Sequence, residues 1–149
     1  MASYQIIDLQ RACRSFGDGC REMIHQFAMD YFKQFIEDHH EGMMAMDHLG
    51  IIKSCDQLRS ILIYFVYPET TDILREIFDG TKSEDKQKLI HLELIFLRKC
   101  LILHRELEDY LQHPVPSPDI KKWMEECLKE LKTAELEAEA KNNAFCSGC

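Results

Sequence analysis

The chain predicts an all-α fold: a single compact bundle of five to six helices with a buried apolar central helix. Three observations carry that expectation. Apolar residues recur at three and four, most clearly over Cys20, Met23, Ile24, Phe27, Ala28, Tyr31, Phe32, Phe35 and Ile36, the spacing of one helical stripe. Glycine and proline fall between such stripes, at Gly17, Gly19, Gly42, Pro68, Gly80, Pro114, Pro116 and Pro118. Residues 89–103 are apolar on nearly every side, as in a helix surrounded by others.

The first helix is expected over 3–16, with Ile6, Leu9, Cys13 and Phe16 on one side and Gly17-Asp18-Gly19 at its end. The second carries the stripe from Cys20 to Ile36 and frays at Asp38, His39, His40, Glu41 and Gly42, leaving Met43, Met44 and Met46 as a soft connector. A third uses Ile51, Ile52, Cys55, Leu58, Leu62 and Phe65 and closes before Pro68. Its last part, 61–67, has strand-like composition, but no neighbouring strand is in view to pair with it, so helix is expected.

A short helix over 70–78 ends at Gly80, and Thr81 with Glu84 forms a capping box for the longest helix, which reaches Gln112. The prolines of 113–118 impose a stiff break. Ser117 as N-cap and Pro118 at the first helical position then open a final helix striped by Ile120, Trp123, Met124, Cys127, Leu128 and Leu131. Beyond Thr133 the stripe thins to Ala134 and Ala138, and 142–149 read as a flexible tail on a helical domain of 1–141.

At 149 residues and 46% hydrophobic content, one domain with its own core is the default. The net charge of -8 is spread along the chain without a basic face. Duplex nucleic acid and anionic membranes need clustered positive charge, so both are disfavoured as main partners. A nucleic-acid-binding regulator would have to gather Arg11, Arg14 and Arg21 on one face. No membrane span is expected, because 89–103 is too short and is interrupted by His91, Glu93, Arg98 and Lys99. The start Met1-Ala-Ser-Tyr-Gln lacks the features of a secretory signal, and the seven cysteines mostly occupy apolar stripe positions. Together these favour a reducing, cytoplasmic or nuclear setting over a disulfide framework.

Catalytic signatures are missing: there is no Gly-x-Ser-x-Gly, no Walker loop and no Gly-x-Gly-x-x-Gly. Cys20 beside Arg21, with His25 one turn on, comes nearest to an activated thiol, and reads more simply as a helix start facing the core. His39, His40 and Glu41 with His48, His91 with Glu93, and His104 with Glu108 do not resolve into the repeated Glu-x-x-His of a di-iron bundle. Cys13, Cys20 and His25 are too loosely spaced for a zinc finger. No catalytic residue, cofactor or metal is expected; the histidines read as solvated helix ends, and a metal-binding bundle is the alternative from a different class.

One short segment is sharper. Leu9-Gln-Arg-Ala-Cys13-Arg-Ser-Phe16-Gly17-Asp18-Gly19-Cys20 resembles the BH3 motif of the Bcl-2 family. The resemblance implies that Leu9, Cys13, Phe16 and Cys20 are anchors for a hydrophobic groove, with Asp18 meeting an arginine, in a BH3-like or Bcl-2-like regulator of host or viral origin. Cys13 stands where that family prefers leucine, and Gly19 follows Gly17 where the motif needs a helix. The Asn-Trp-Gly-Arg element of full Bcl-2 proteins is missing.

The expected role is therefore non-enzymatic: an intracellular interaction or regulatory protein that presents a helical groove or face to another protein. Its expected contacts are Leu9, Cys13, Phe16, Asp18, Met43, Met44, Tyr64 and Tyr67, since methionine and tyrosine adapt well to interfaces, with Phe65 equally suited to the core. A homodimer is the second interaction reading, because Ile120, Met124, Cys127, Leu131, Ala134 and Ala138 alternate at four and three like a coiled-coil seam.

Overall fold

The apolar stripes become helices in the structure, a computed structural model that describes residues 3–83 and 85–147. They are α1 (Leu9–Phe16), α2 (Cys20–Gln26), α3 (Phe32–Met44), α4 (His48–Leu62), α5 (Pro68–Gly80), α6 (Lys86–Leu111) and α7 (Ile120–Ser147). A 3-10 turn, Gly17–Gly19, joins α1 to α2, and a π turn, Phe27–Tyr31, makes α2 and α3 one helical run. Aspartates start three of the helices: the side chains of Asp8, Asp47 and Asp85 accept the N–H of Arg11, Gly50 and Lys88. The longest of these three helices thus opens on Asp85 at Lys86. Thr81 lies in a preceding 3-10 turn, and its expected capping partner Glu84 lies outside the described residues.

α6 is the axis of the core. Leu89, Phe96, Leu97, Cys100, Leu103 and Leu107 are each at most 1% exposed, and Phe27, Phe32 and Phe65 pack edge to face beside them. α7 runs back along α6, so that Glu130 pairs with Lys86 near the start of α6 (3.5 Å). The turn between them is tied down by His104, whose Nε2 donates to the Val115 carbonyl (2.8 Å). No helix among the described residues is long and apolar enough to cross a membrane.

Four local expectations are corrected. The first helix begins at Leu9, not Ser3; the preceding residues are non-helical, with a bend at Gln5 and Ile6, and Ile7 forms an isolated antiparallel bridge with Val66. That bridge is the pairing missing from the sequence view of 61–67: the helix stops at Leu62, and the Asp8 and Tyr67 amides donate to Phe65 and Ile6 carbonyls. The non-helical N-terminus leaves amides in search of acceptors, and the Glu106 carboxylate takes those of Gln5, Ile6 and Ile7 at 2.8 to 3.0 Å. α3 does not fray at Asp38 but continues to Met44, because His39, His40 and Met43 are buried. α7 opens at Ile120, with the Ser117 hydroxyl donating to the Pro118 carbonyl, and runs through Ser147 into the segment expected as a tail.

Candidate functional site

Between α2, the π turn and the end of α4 lies an open apolar groove. Phe16, Met23, Gln26, Phe27, Tyr31, Ile61 and Phe65 line a cavity of about 110 Å³. An apolar cavity of about 150 Å³ accommodates benzene, so this one has the size of a single aliphatic or small aromatic side chain. Its rim stands in solvent: Met23 is 46% and Tyr31 40% exposed, and Tyr64, 50% exposed, packs beside it on the lining residue Phe16. The Phe16 and Tyr64 rings meet at 5.8 Å and Tyr31 and Phe35 at 5.3 Å, while Phe27 and Phe65 form the floor, also at 5.3 Å.

The π turn shapes this groove. The Phe32 amide bonds to the Phe27 carbonyl five residues back, which admits one extra residue into the turn. Phe27 and Phe32 are consequently both buried while Tyr31 is turned outward. Such turns are rare and recur at functional sites. The stretch of chain that forms the groove carries exposed Asp18, Glu22 and Asp30 along with exposed Arg14 and Lys33, whereas Arg21 spends its guanidinium on the Tyr110 and Leu111 carbonyls at the end of α6 (3.1 and 2.8 Å).

A second arrangement lies inside the bundle. Glu93 of α6 is fully buried and uses both oxygens on neighbouring residues of α3: His39 Nε2 donates to Oε1 at 2.7 Å and His40 Nδ1 to Oε2 at 2.9 Å. The other nitrogen of His39 faces the Ser54 hydroxyl at 3.0 Å. With the Ile51 carbonyl at 3.1 Å as acceptor for its one proton, the Ser54 hydroxyl is placed to accept from His39 Nδ1, the arrangement that suits an imidazolium. The electrostatics agree. Burial alone would depress His39, but the Glu93 charge, joined by the contact with Cys55 and the hydrogen bond to Glu93, outweighs it and lifts the group to about 10. Burial would raise Glu93, yet the His39 charge and the imidazole hydrogen bonds hold it down at about 2.

Hydroxyl, imidazole and carboxylate in this order also describe an activated serine. Here the Ser54 proton is committed to a main-chain carbonyl and the hydroxyl is buried, so no nucleophile is presented to a substrate. Nor are these groups disposed as ligands: among the described residues no set of three or more His, Cys, Asp or Glu side chains is arranged to hold a metal ion. Cys13, Cys20, Cys55, Cys100 and Cys127 are free thiols.

The residues singled out in the sequence scatter. Phe16 and Tyr64 meet at the groove. Leu9 is half-buried, Cys13 and Asp18 are exposed, and Cys20 is buried. The BH3-like segment is not one helix: α1 ends at Phe16, and Gly17 takes φ 58°, so its four apolar positions do not share a helical face. Met43 belongs to the core at 1% exposure, a correction that follows from α3 continuing past it. Met44 is half-buried, and Tyr67 (39% exposed) lies beside Tyr4 and Ile7, away from the groove.

His39 and His40 are core residues, not solvated helix ends, while His91 is exposed and takes no part with Glu93. Arg11 is engaged with the Ile63 carbonyl and Asp8. Ile120 and Cys127 of the heptad-like seam are buried in the chain's own bundle. Set against protein families, curated proteins and solved structures, the chain matches none of them.

Proposed function

We propose that this protein is a non-enzymatic interaction module whose α2–α4 groove receives an apolar side chain from an amphipathic helix of a partner protein. The groove carries the reading: an almost wholly apolar cavity sized for one side chain, rimmed by solvent-exposed Met23 and Tyr31, with exposed Tyr64 packed on Phe16 beside it. Methionine and tyrosine contribute adaptable contact area at modest entropic cost, as interface residues do. The exposed carboxylates Asp18, Glu22 and Asp30, on a chain of net charge -8, favour a partner helix with lysine or arginine beside its apolar stripe.

The test compares affinity capture by the full chain with capture by Met23→Glu and Tyr64→Glu. Leu128→Glu serves as control, because Leu128 is equally exposed (49%) but lies on α7. A partner cross-linked through a cationic amphipathic helix, held by the wild type and the control and lost from both groove variants, supports the reading. Equal retention by all four proteins removes the groove as the site.

A further inference from the structure

Independently of the groove, the contacts of His40 give the buried centre a role at the joint with α7. His40 is 3% exposed, and both of its nitrogens face carboxylates: Nδ1 meets Glu93 of α6 at 2.9 Å, and Nε2 meets Glu126 of α7 at 3.5 Å. Its ring lies on the indole of Trp123, also on α7, at 4.8 Å between centroids and 22° between planes. A neutral imidazole has one N–H and satisfies one carboxylate; an imidazolium satisfies both. We propose that α7 is latched to the bundle by a proton on His40, docked while the imidazolium is present and loosened when the proton leaves.

The direction of the effect follows from the geometry. On losing a proton, His40 keeps its N–H for the shorter, fully buried bond to Glu93, and Nε2 is left with a lone pair facing the Glu126 carboxylate. The cation–π component of the Trp123 stack disappears in the same step. Both losses fall on α7, while the α3–α6 bond survives.

The other titratable groups around this centre have their own partners. On α3, His39 is balanced by Glu93 of α6, and on α4 Ser54 and Cys55 face His39 at 3.0 and 3.9 Å. Burial, reinforced by the Glu93 charge, raises the thiols of Cys100 on α6 and Cys127 on α7, so they remain neutral. Glu130 of α7 is paired with Lys86. Glu126, 38% exposed, is thus the carboxylate on α7 that answers the His40 proton.

Hydrogen exchange on the full chain at about pH 6 and about pH 8.5, corrected for intrinsic rates, tests the latch; one linked proton shifts an equilibrium by at most about tenfold per pH unit. The amides of 120–131 are expected to lose about tenfold protection relative to α6 as the pH rises. Emission from Trp123, the single tryptophan, should change over the same range. Glu126→Leu, which leaves only the Trp123 stack to respond to the proton, should show reduced α7 protection already at about pH 6 and a smaller fall than the wild type as the pH rises. His40→Gln should show low α7 protection at both pH values, and if that core variant fails to fold, Glu126→Leu decides. Wild-type α7 protection that tracks α6 at both pH values overturns the latch, as does a Glu126→Leu chain that retains the full wild-type pH dependence.

Discussion

Where α3, α4 and α6 meet, His39, Ser54 and Glu93 sit in the core with their polar atoms engaged; between α2 and α4, Met23, Tyr31 and Tyr64 stand in water without an apolar cover. The two regions depart from ordinary burial in opposite directions, and the cost of each departure differs. A buried charge is tolerable only when its partners are all present, so the first region constrains the fold tightly. The second costs the fold little and is free to serve another molecule. A buried polar cluster and an exposed apolar rim are each more informative than the well-formed core between them.

The buried centre is most sensitive at Glu93. Glu93→Ala strands two imidazoles in the core, and a loss of about 3–5 kcal/mol is expected by urea denaturation. Glu106→Ala removes the acceptor of three amides, and should cost about 2–3 kcal/mol and release the N-terminal segment from Val66, visible as faster exchange at Ile7 and Tyr67.

The buried pair also sets a pH profile. His39, lifted to about 10 from an unfolded value near 6.5, contributes stability that is full below pH 6.5 and fades as pH rises toward 10. Glu93, held at about 2 against 4.5 unfolded, contributes stability that is full above pH 4.5 and fades as pH falls toward 2. Stability should therefore be flat between pH 4.5 and 6.5 as far as this pair is concerned. By pH 8 it should fall by at most about 2 kcal/mol, a slope that His39→Leu abolishes.

Smaller effects sharpen the other side. Gly17→Ala forces a side chain into a positive φ and should cost about 1–2 kcal/mol, by thermal or urea unfolding. Tyr64→Glu should change stability by no more than about 0.5 kcal/mol while abolishing partner capture, the behaviour of a surface that serves binding rather than folding.

The helices were legible because burial writes itself as periodicity. The stripe over Cys20 to Ile36 even overstates the core: Cys20, Ile24, Phe27, Ala28, Phe32 and Ile36 fill it and Phe35 packs against it, while Met23 and Tyr31 are surplus. That excess width is the sequence trace of the groove, and Phe16 and Tyr64, expected from the sequence as contact residues, lie together at it, although the π turn that shapes their surroundings left no sign in the sequence. The buried centre left a fainter trace. Glu93 is a carboxylate inside an otherwise apolar helix and demands partners, but nothing local says that they stand on α3, some fifty residues earlier in the chain. His39 and His40 look like a fraying helix end because their partner is distant. The Ile7–Val66 bridge escaped for the same reason: two short extended pieces define each other only in three dimensions.

Methyl NMR on methionine-labelled protein, titrated with the captured partner helix, tests the groove most directly. The Met23 methyl is predicted to shift or broaden on binding, with Met43 in the core and Met124 on α7 unchanged. A Met23 signal that stays in place at saturation, with changes at Met124 instead, would contradict the groove and move the interaction to α7.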